Sequence, residues 1–214
     1  MTGETGPFEQ VRLLYEQAVF YGDHGALASA DQILDAAEAA LALARGRIIH
    51  ARFLAGGNDD PAELTLFERA TALYHELGDT RGEGEARFWV GTYHQVVRDD
   101  NDAALPQLRR ARELAAAASD PLTLSYAVRH LGFADMVAGR LDSAREQLEE
   151  SVRLRRDIGF MPGVAAGLLA LAEVAAQAGD PNQAQALLDE AASVATTAGA
   201  HGVLLWINQA REET

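Results

Sequence analysis

Apolar residues recur at helical spacing through most of the chain. Leu105, Leu108, Ala111, Leu114 and Ala115 form one such stripe, and Leu148, Val152 and Leu154, with Leu141 ahead of them, form another. Spacings of three and four residues put these side chains on one face of an α-helix. No stretch alternates apolar and polar residues as a half-buried strand would, so an all-α fold is expected.

The stripes repeat. Blocks 81–120, 121–160 and 161–200 align without a gap at a period of forty. In each, a small residue late in the first helix is followed by Ala, then Leu, then another small residue: Thr92/Ala104/Leu108/Ala111, Gly132/Ala144/Leu148/Ser151 and Ala172/Ala184/Leu188/Ala191. A looser copy one residue longer reads Ala51/Glu63/Phe67/Ala70. Self-similarity at this period is the mark of a stacked-repeat architecture.

Turn residues share the period. Asp102, Asp142 and Asn182 are expected to cap the second helices, and Asp60-Pro61 does so in the first copy. Gly78, Gly159 and Gly199 suit left-handed caps after the second helices, while Gly56-Gly57, Gly139 and Gly179 mark the bend inside each pair. Each unit therefore reads as a helix–turn–helix hairpin. The small residues at Ala104, Gly132, Ala144 and Ala184 let the paired helices approach closely.

At these positions the chain resembles the tetratricopeptide repeat family, whose Leu-Gly and following Ala-x-x-x-Phe pattern stands here as Leu131-Gly132 and Ala144-x-x-x-Leu148. The period of 40–41 exceeds the family's 34, and its Pro near the repeat end is missing; the long-period type occurs in bacterial signalling regulators and in kinesin light chain. HEAT and armadillo repeats share the period, but the Leu-Gly and Ala landmarks favour the tetratricopeptide reading. The resemblance implies a right-handed α-solenoid: capping helices over 1–39, repeats at 40–80, 81–120, 121–160 and 161–200, and a C-terminal capping helix over 201–214.

The ends look like caps. Phe8–Tyr21 is amphipathic, and Ser29-x-x-Gln32 suggests a capping box opening a long helix through Ala55. Val203–Ile207 is a run of apolar residues that suits packing on the last repeat or, alternatively, a homodimer contact centred on Trp206.

Charge narrows the function. With 18 basic residues, all Arg, against 32 acidic ones, the net charge of -14 argues against a nucleic-acid partner, which needs a cationic face. The absence of Cys removes disulfides and thiolate chemistry. No apolar run reaches the ~18 residues of a membrane span, and Met1–Pro7 shows no basic or apolar leader, so a cytoplasmic protein is expected. The Arg-only, Ala-rich composition suggests a bacterial genome of high GC content.

The resemblance also implies a concave groove lined by the first helices, at positions one after, three before and six before the Gly132-type landmark. Carried over, these are Arg45, Ile48 and Arg52; Ala86, Trp89 and Tyr93; Tyr126, Arg129 and Phe133; and Ala166, Leu169 and Glu173. Arg45, Arg52, Trp89, Tyr93, Tyr126, Arg129, Phe133 and Glu173 are the candidate binding residues. Aromatic area beside planar guanidinium forks suits an extended acidic peptide. The structural alternative is that the rings are inter-repeat core and the arginines pair with Glu85, Glu173 or Asp135. A Lys-based clamp for a terminal carboxylate is not expected, because the chain has no Lys.

Catalysis finds little support. His24, His50, His75, His94, His130 and His201 show no metal-ligand spacing, and no phosphate loop is present, so no cofactor or metal is expected. His94 and His130 could approach near Asp135, although ordinary interface histidines explain them as well. The expectation is a non-enzymatic protein- or peptide-binding scaffold. The alternatives are a small-molecule or catalytic pocket around Trp89, Tyr93, His94, Tyr126, Arg129 and His130, or a sensor module of a larger regulator.

Overall fold

A computed structural model describes residues 6–212. Met1–Thr5, on which most of the leader expectation falls, and the last two residues of the C-terminal cap lie outside the described residues. Ten α-helices follow one another: α1 (Pro7–Tyr21), α2 (Gly25–Leu54), α3 (Ala62–Glu76), α4 (Thr80–Thr92), α5 (Asn101–Ala117), α6 (Pro121–Val137), α7 (Leu141–Asp157), α8 (Met161–Gln177), α9 (Pro181–Thr197) and α10 (His201–Glu212). A π-helical turn, Tyr93–Val97, continues α4, and there is no strand among the described residues.

The helices pack as hairpins, α2 with α3, α4 with α5, α6 with α7 and α8 with α9, and each second helix stacks on the first helix of the next pair. This is an α-solenoid. The long helix α2 serves two neighbours, α1 and α3, while α10 covers α9 and touches α8. The repeat landmarks form its core: Ala104, Leu108, Ala111, Ala144, Leu148, Ser151, Leu188 and Ala191 are all buried. Ser151 is the polar member of that set, and its hydroxyl donates to the Ser125 carbonyl at 2.7 Å.

Helix starts differ from the expectation in detail. Asp100 and Asp180, two residues ahead of Asp102 and Asn182, are the side chains that accept from the free N–H groups of Ala103 and Gln183. Asp79 and Asp120 cap α4 and α6 in the same way, whereas Arg140 opens α7 with no side-chain cap. The expected capping box at Ser29 is not used, because α2 already begins at Gly25, whose N–H is taken by Asp23. The Asp60 carboxylate accepts from Ala62 N at 2.9 Å as α3 opens.

The glycines at the bends adopt the left-handed conformation: Gly78, Gly139, Gly159, Gly179 and Gly199 all have positive φ. In the second hairpin the corresponding positions hold Asp99 and Ser119, both at φ 52°, where a Cβ crowds the following carbonyl.

That hairpin also hides a one-residue slip. A Cβ on Gly91 would stand 2.7 Å from Leu108 Cγ and 3.3 Å from the Ala104 carbonyl oxygen, while one on Gly132 would meet Leu148 Cγ at 3.1 Å and the Ala144 carbonyl oxygen at 3.3 Å. Gly91, not Thr92, is thus the counterpart of Gly132. The surplus residue is absorbed in the π turn, where Arg98 N donates to Tyr93 O, five residues back, at 3.2 Å. In the first hairpin the same slot holds His50, as far ahead of Glu63 as Gly91 is ahead of Ala104.

Candidate functional site

One residue of slip turns a helical side chain by ~100°, and this redistributes the expected groove. Tyr93 is buried in the core shared by α2, α3 and α4, where its hydroxyl accepts from Arg98 Nε at 2.8 Å. Phe88 and Thr92 take the groove positions instead. Arg45 and Arg52 lie, with Ile48, on a separate open depression between α2 and the start of α3. Every side chain lining that depression is exposed or half-exposed. Glu173 is exposed on α8, and its charge reaches Arg129.

Trp89, Tyr126, Arg129 and Phe133 do come together. They line a cavity of about 440 Å³, with His50 and Leu54 of α2 at one end and Val203 and Trp206 of α10 at the other. A volume of that size touches both the first and the last hairpin only because the row of first helices curls around it. The cavity is therefore the inner face of the solenoid.

Its wall is a run of rings. Trp89 stacks on Phe67 at 5.6 Å and meets His50 edge-on at 5.4 Å, and Phe88 stacks on Tyr126 at 5.3 Å. Phe160 follows Tyr126 at 6.1 Å, and His130 meets Phe88 and Phe133 edge-on. Offset and edge contacts of this kind hold large rings in fixed places.

The polar groups differ in how they are satisfied. His130 Nδ1 lies 2.7 Å from Gln95 Oε1, while Gln95 Nε2 donates to the His130 carbonyl and to Asn101. With the amide nitrogen so committed, Oε1 is the acceptor and the His130 proton sits on Nδ1. Burial first, then the charges of Arg129 and Arg155, hold His130 well below the usual histidine range, so it is neutral. Gln95 belongs to the π turn, which thus fixes the ring that faces the cavity. His94 instead packs edge-on against Tyr93, and Asp135 is held by Arg140, Ser143 and Gln147, so the three do not form a cluster. At the α2 end, His50 Nδ1 is 2.8 Å from Glu63 Oε1 in a fully buried pair. Burial pushes the Glu63 carboxyl up, against the pull of the His50 hydrogen bond.

Two guanidiniums complete the lining. Arg129 lies over the Phe133 ring at 4.3 Å, donates from Nη2 to the Ala166 carbonyl at 3.4 Å, and has no acceptor for Nε. Arg155, only 2% exposed, reaches in from α7 over the Tyr126 ring at 4.8 Å. It donates to the Gly163 carbonyl at 2.9 Å and to Ser125 Oγ at 3.3 Å, and its Nη2 has no acceptor. Burial pulls Arg155 down to about 10, and burial together with the neighbouring Arg155 pulls Arg129 down to about 9. Both remain cations at neutral pH.

Arg155 is the site residue that sequence reasoning missed. In the chain it looks like part of a solvated Arg153–Arg156 run at a helix end. A signal was available: at the same repeat position the flanking blocks carry Ala115 and Ala195, both buried. Phe88, Thr92 and Val96 were missed because the gap-free alignment passed over the π turn. Among the described residues no group of His and acidic side chains is arranged to hold a metal.

Comparison with known proteins agrees with this architecture. The family model for tetratricopeptide repeats matches residues 122–197. No curated protein matches the chain in sequence. The crystal structure of aspartyl phosphate phosphatase F from Bacillus subtilis superposes with a TM-score of 0.68 at 10% identity, over 94% of this chain and 53% of that one. This chain thus spans about half the length of that phosphatase. BtubC (BKLC) from P. vanneervenii superposes with a TM-score of 0.51 at 14% identity, over 92% and 93% of the two chains. At such identities the likeness concerns the fold alone. The family match over residues 122–197, the hairpin packing and the shared architecture agree in a tetratricopeptide-like helical-repeat solenoid.

Proposed function

We propose that this chain is a non-catalytic recognition scaffold that takes a short segment of a protein partner into its inner cavity. The observation that carries the reading is the lining itself: a continuous aromatic wall running from Trp89 through Phe88 and Tyr126 to Phe160, with two cations set among the rings. Rings with few torsions to freeze supply area at low entropic cost, and guanidinium forks supply direction. The molecule as a whole is strongly acidic, with a net charge of -14, so this cationic pocket singles out acidic or carboxylate-bearing segments. The exposed depression at Arg45 and Arg52 offers no buried polar group to discriminate one partner from another. No helix of the described residues is long and apolar enough to cross a membrane.

Selection of a displayed peptide library on the wild-type chain, counter-selected on Ala166→Phe, tests this reading. Ala166 lines the cavity, so a ring there fills the space without touching the outer surface. Peptides retained by the wild type and lost on Ala166→Phe support the proposal. Peptides that bind both alike, or none at all, contradict it.

A second reading is favoured by the cavity's size and partial closure. About 440 Å³ lies in the range of small-molecule sites, and Trp206 of α10 stands across one end. A ligand of metabolite size would fit there, and a proposed role as the sensing part of a larger regulator would follow from it. Co-purification of a small molecule with the wild type, absent from Ala166→Phe, is the result that would favour this reading.

A further inference from the structure

We infer that the inner cavity contains an anion subsite formed by Arg129 and Arg155, and that its ligand class is a carboxylate or phosphate group carried on an apolar, ring-bearing body. The inference rests on the reading of the cavity as a ligand site and specifies what must enter it.

A buried guanidinium is costly unless its donors are met. Arg155 is 2% exposed, its two acceptors are a neutral hydroxyl and a neutral carbonyl, and Nη2 is left over. Arg129 adds a second spare donor, Nε, on the same cavity wall. Burial disfavours the charged form of both, and the charge of Arg155 adds to that cost at Arg129. Their π contacts do not relieve this. A ring face offers a diffuse attraction to the cation and no hydrogen-bond acceptor of the strength its N–H groups require.

The slot for Arg155 is built into the sequence. Buried Ala115 and Ala195 show that the repeat packs well with a methyl group at this position. Gly163 makes room for the long side chain, because a Cβ there would stand 2.9 Å from Arg155 Cδ and closer still to the Phe160 ring. Ser125, wholly buried, turns its hydroxyl to accept from Arg155 Nε. A glycine, a serine and an arginine from three helices are thus placed together, and the result is still short of one acceptor. A planar oxyanion supplies acceptors to both arginines in charge-assisted bonds, while Tyr126, Phe133 and Phe160 enclose the group attached to it.

Isothermal titration of the full chain tests the inference with two matched pairs of probes. One is 3-phenylpropionate against the neutral 3-phenylpropionamide, with phenyl phosphate beside them. The other is acetyl-Phe-Glu-amide against acetyl-Phe-Gln-amide. Each anion should bind at least about tenfold more tightly than its neutral partner, which is the scale of one charge-assisted hydrogen bond. The difference should shrink with added salt and disappear in Arg129→Gln. Arg155→Gln should abolish the difference as well, and if it fails to fold, the probe pairs on the wild type still decide. Equal binding of charged and neutral probes, or no binding of any anion, overturns the inference. Arg129-dependent binding of the small anions, in a chain from which the library yields no peptide, upholds the subsite and removes the peptide reading. Peptides that bind the cavity equally well in Arg129→Gln do the reverse.

Discussion

The first and third hairpins each break the apolar repeat with a buried charged residue, and they resolve it in opposite ways. In the first, His50 and Glu63 stand where the other hairpins cross through Gly91 and Ala104 or Gly132 and Ala144, and the two side chains bond to one another across the crossing. In the third, Arg155 stands where the flanking hairpins have Ala115 and Ala195, finds only neutral acceptors, and leaves Nη2 without an acceptor in a side chain that lines the cavity. The first pair is joined through Glu63 Oε1, with Glu63 Oε2 left without a partner, and replaces one packing solution with another. A buried cation left open toward a cavity costs stability and gains nothing until something binds. Position in the repeat alone does not separate these cases; the partners do.

The largest expected effect breaks the first hairpin. Glu63→Ala should cost about 3 kcal/mol in urea unfolding, because it leaves His50 buried without its partner. His50→Gly combined with Glu63→Ala recreates the crossing of the other hairpins and should recover most of that loss, a coupling that a double-mutant cycle reads directly. A neutral Glu63→Ala would mean that the pair is idle. Next comes Gly91→Ala, expected to cost about 2 kcal/mol as its Cβ is driven against Leu108, with Gly132→Ala cheaper because its neighbours stand further off. Equal costs would contradict the assignment of Gly91 to the Gly132 position.

Arg155→Met sharpens the contrast from the other side. Replacing a buried cation with an apolar chain of similar length should leave stability unchanged or raise it by about 1 kcal/mol, while abolishing anion binding. A loss as large as that of Glu63→Ala would make Arg155 a structural residue. The pH profile separates the two hairpins as well. Glu63 is raised in the folded state by burial, so above the ordinary carboxylate range the unfolded chain has released a proton that the native state still holds. Wild-type stability should therefore fall as pH climbs from about 4.5 through the raised Glu63 value, and Glu63→Gln should flatten that part of the curve. The smallest effect belongs to the second hairpin, where Ser119→Gly should raise stability by about 1 kcal/mol by relieving the left-handed conformation that Gly159 meets in the third.

Helical periodicity, the forty-residue repeat and the bend glycines were legible in the sequence because each follows from backbone geometry and small-residue packing. The site was legible only in part. Tyr126, Arg129 and Phe133 line the cavity at the positions the repeat pattern suggests, because the third repeat has no insertion. In the second repeat the π turn shifts every residue ahead of it by one place, which sends Tyr93 into the core and brings Phe88 forward. A gap-free alignment cannot show this, since α5, α7 and α9 keep perfect spacing downstream. Arg155 escaped for another reason. An arginine in a basic run at a helix end reads as solvated until its position is compared with the alanines one repeat away.

Both tryptophans of the chain, Trp89 and Trp206, line the inner cavity, so their two indole N–H resonances report on it. A ¹⁵N-edited titration with phenyl phosphate tests the central claim most directly. Saturable movement of the indole signals in the wild type, lost in Arg129→Gln, is the result predicted for a cavity that recognises an anion. Indole signals that stay fixed while phenyl phosphate saturates the protein elsewhere, or that move equally in Arg129→Gln, would contradict it.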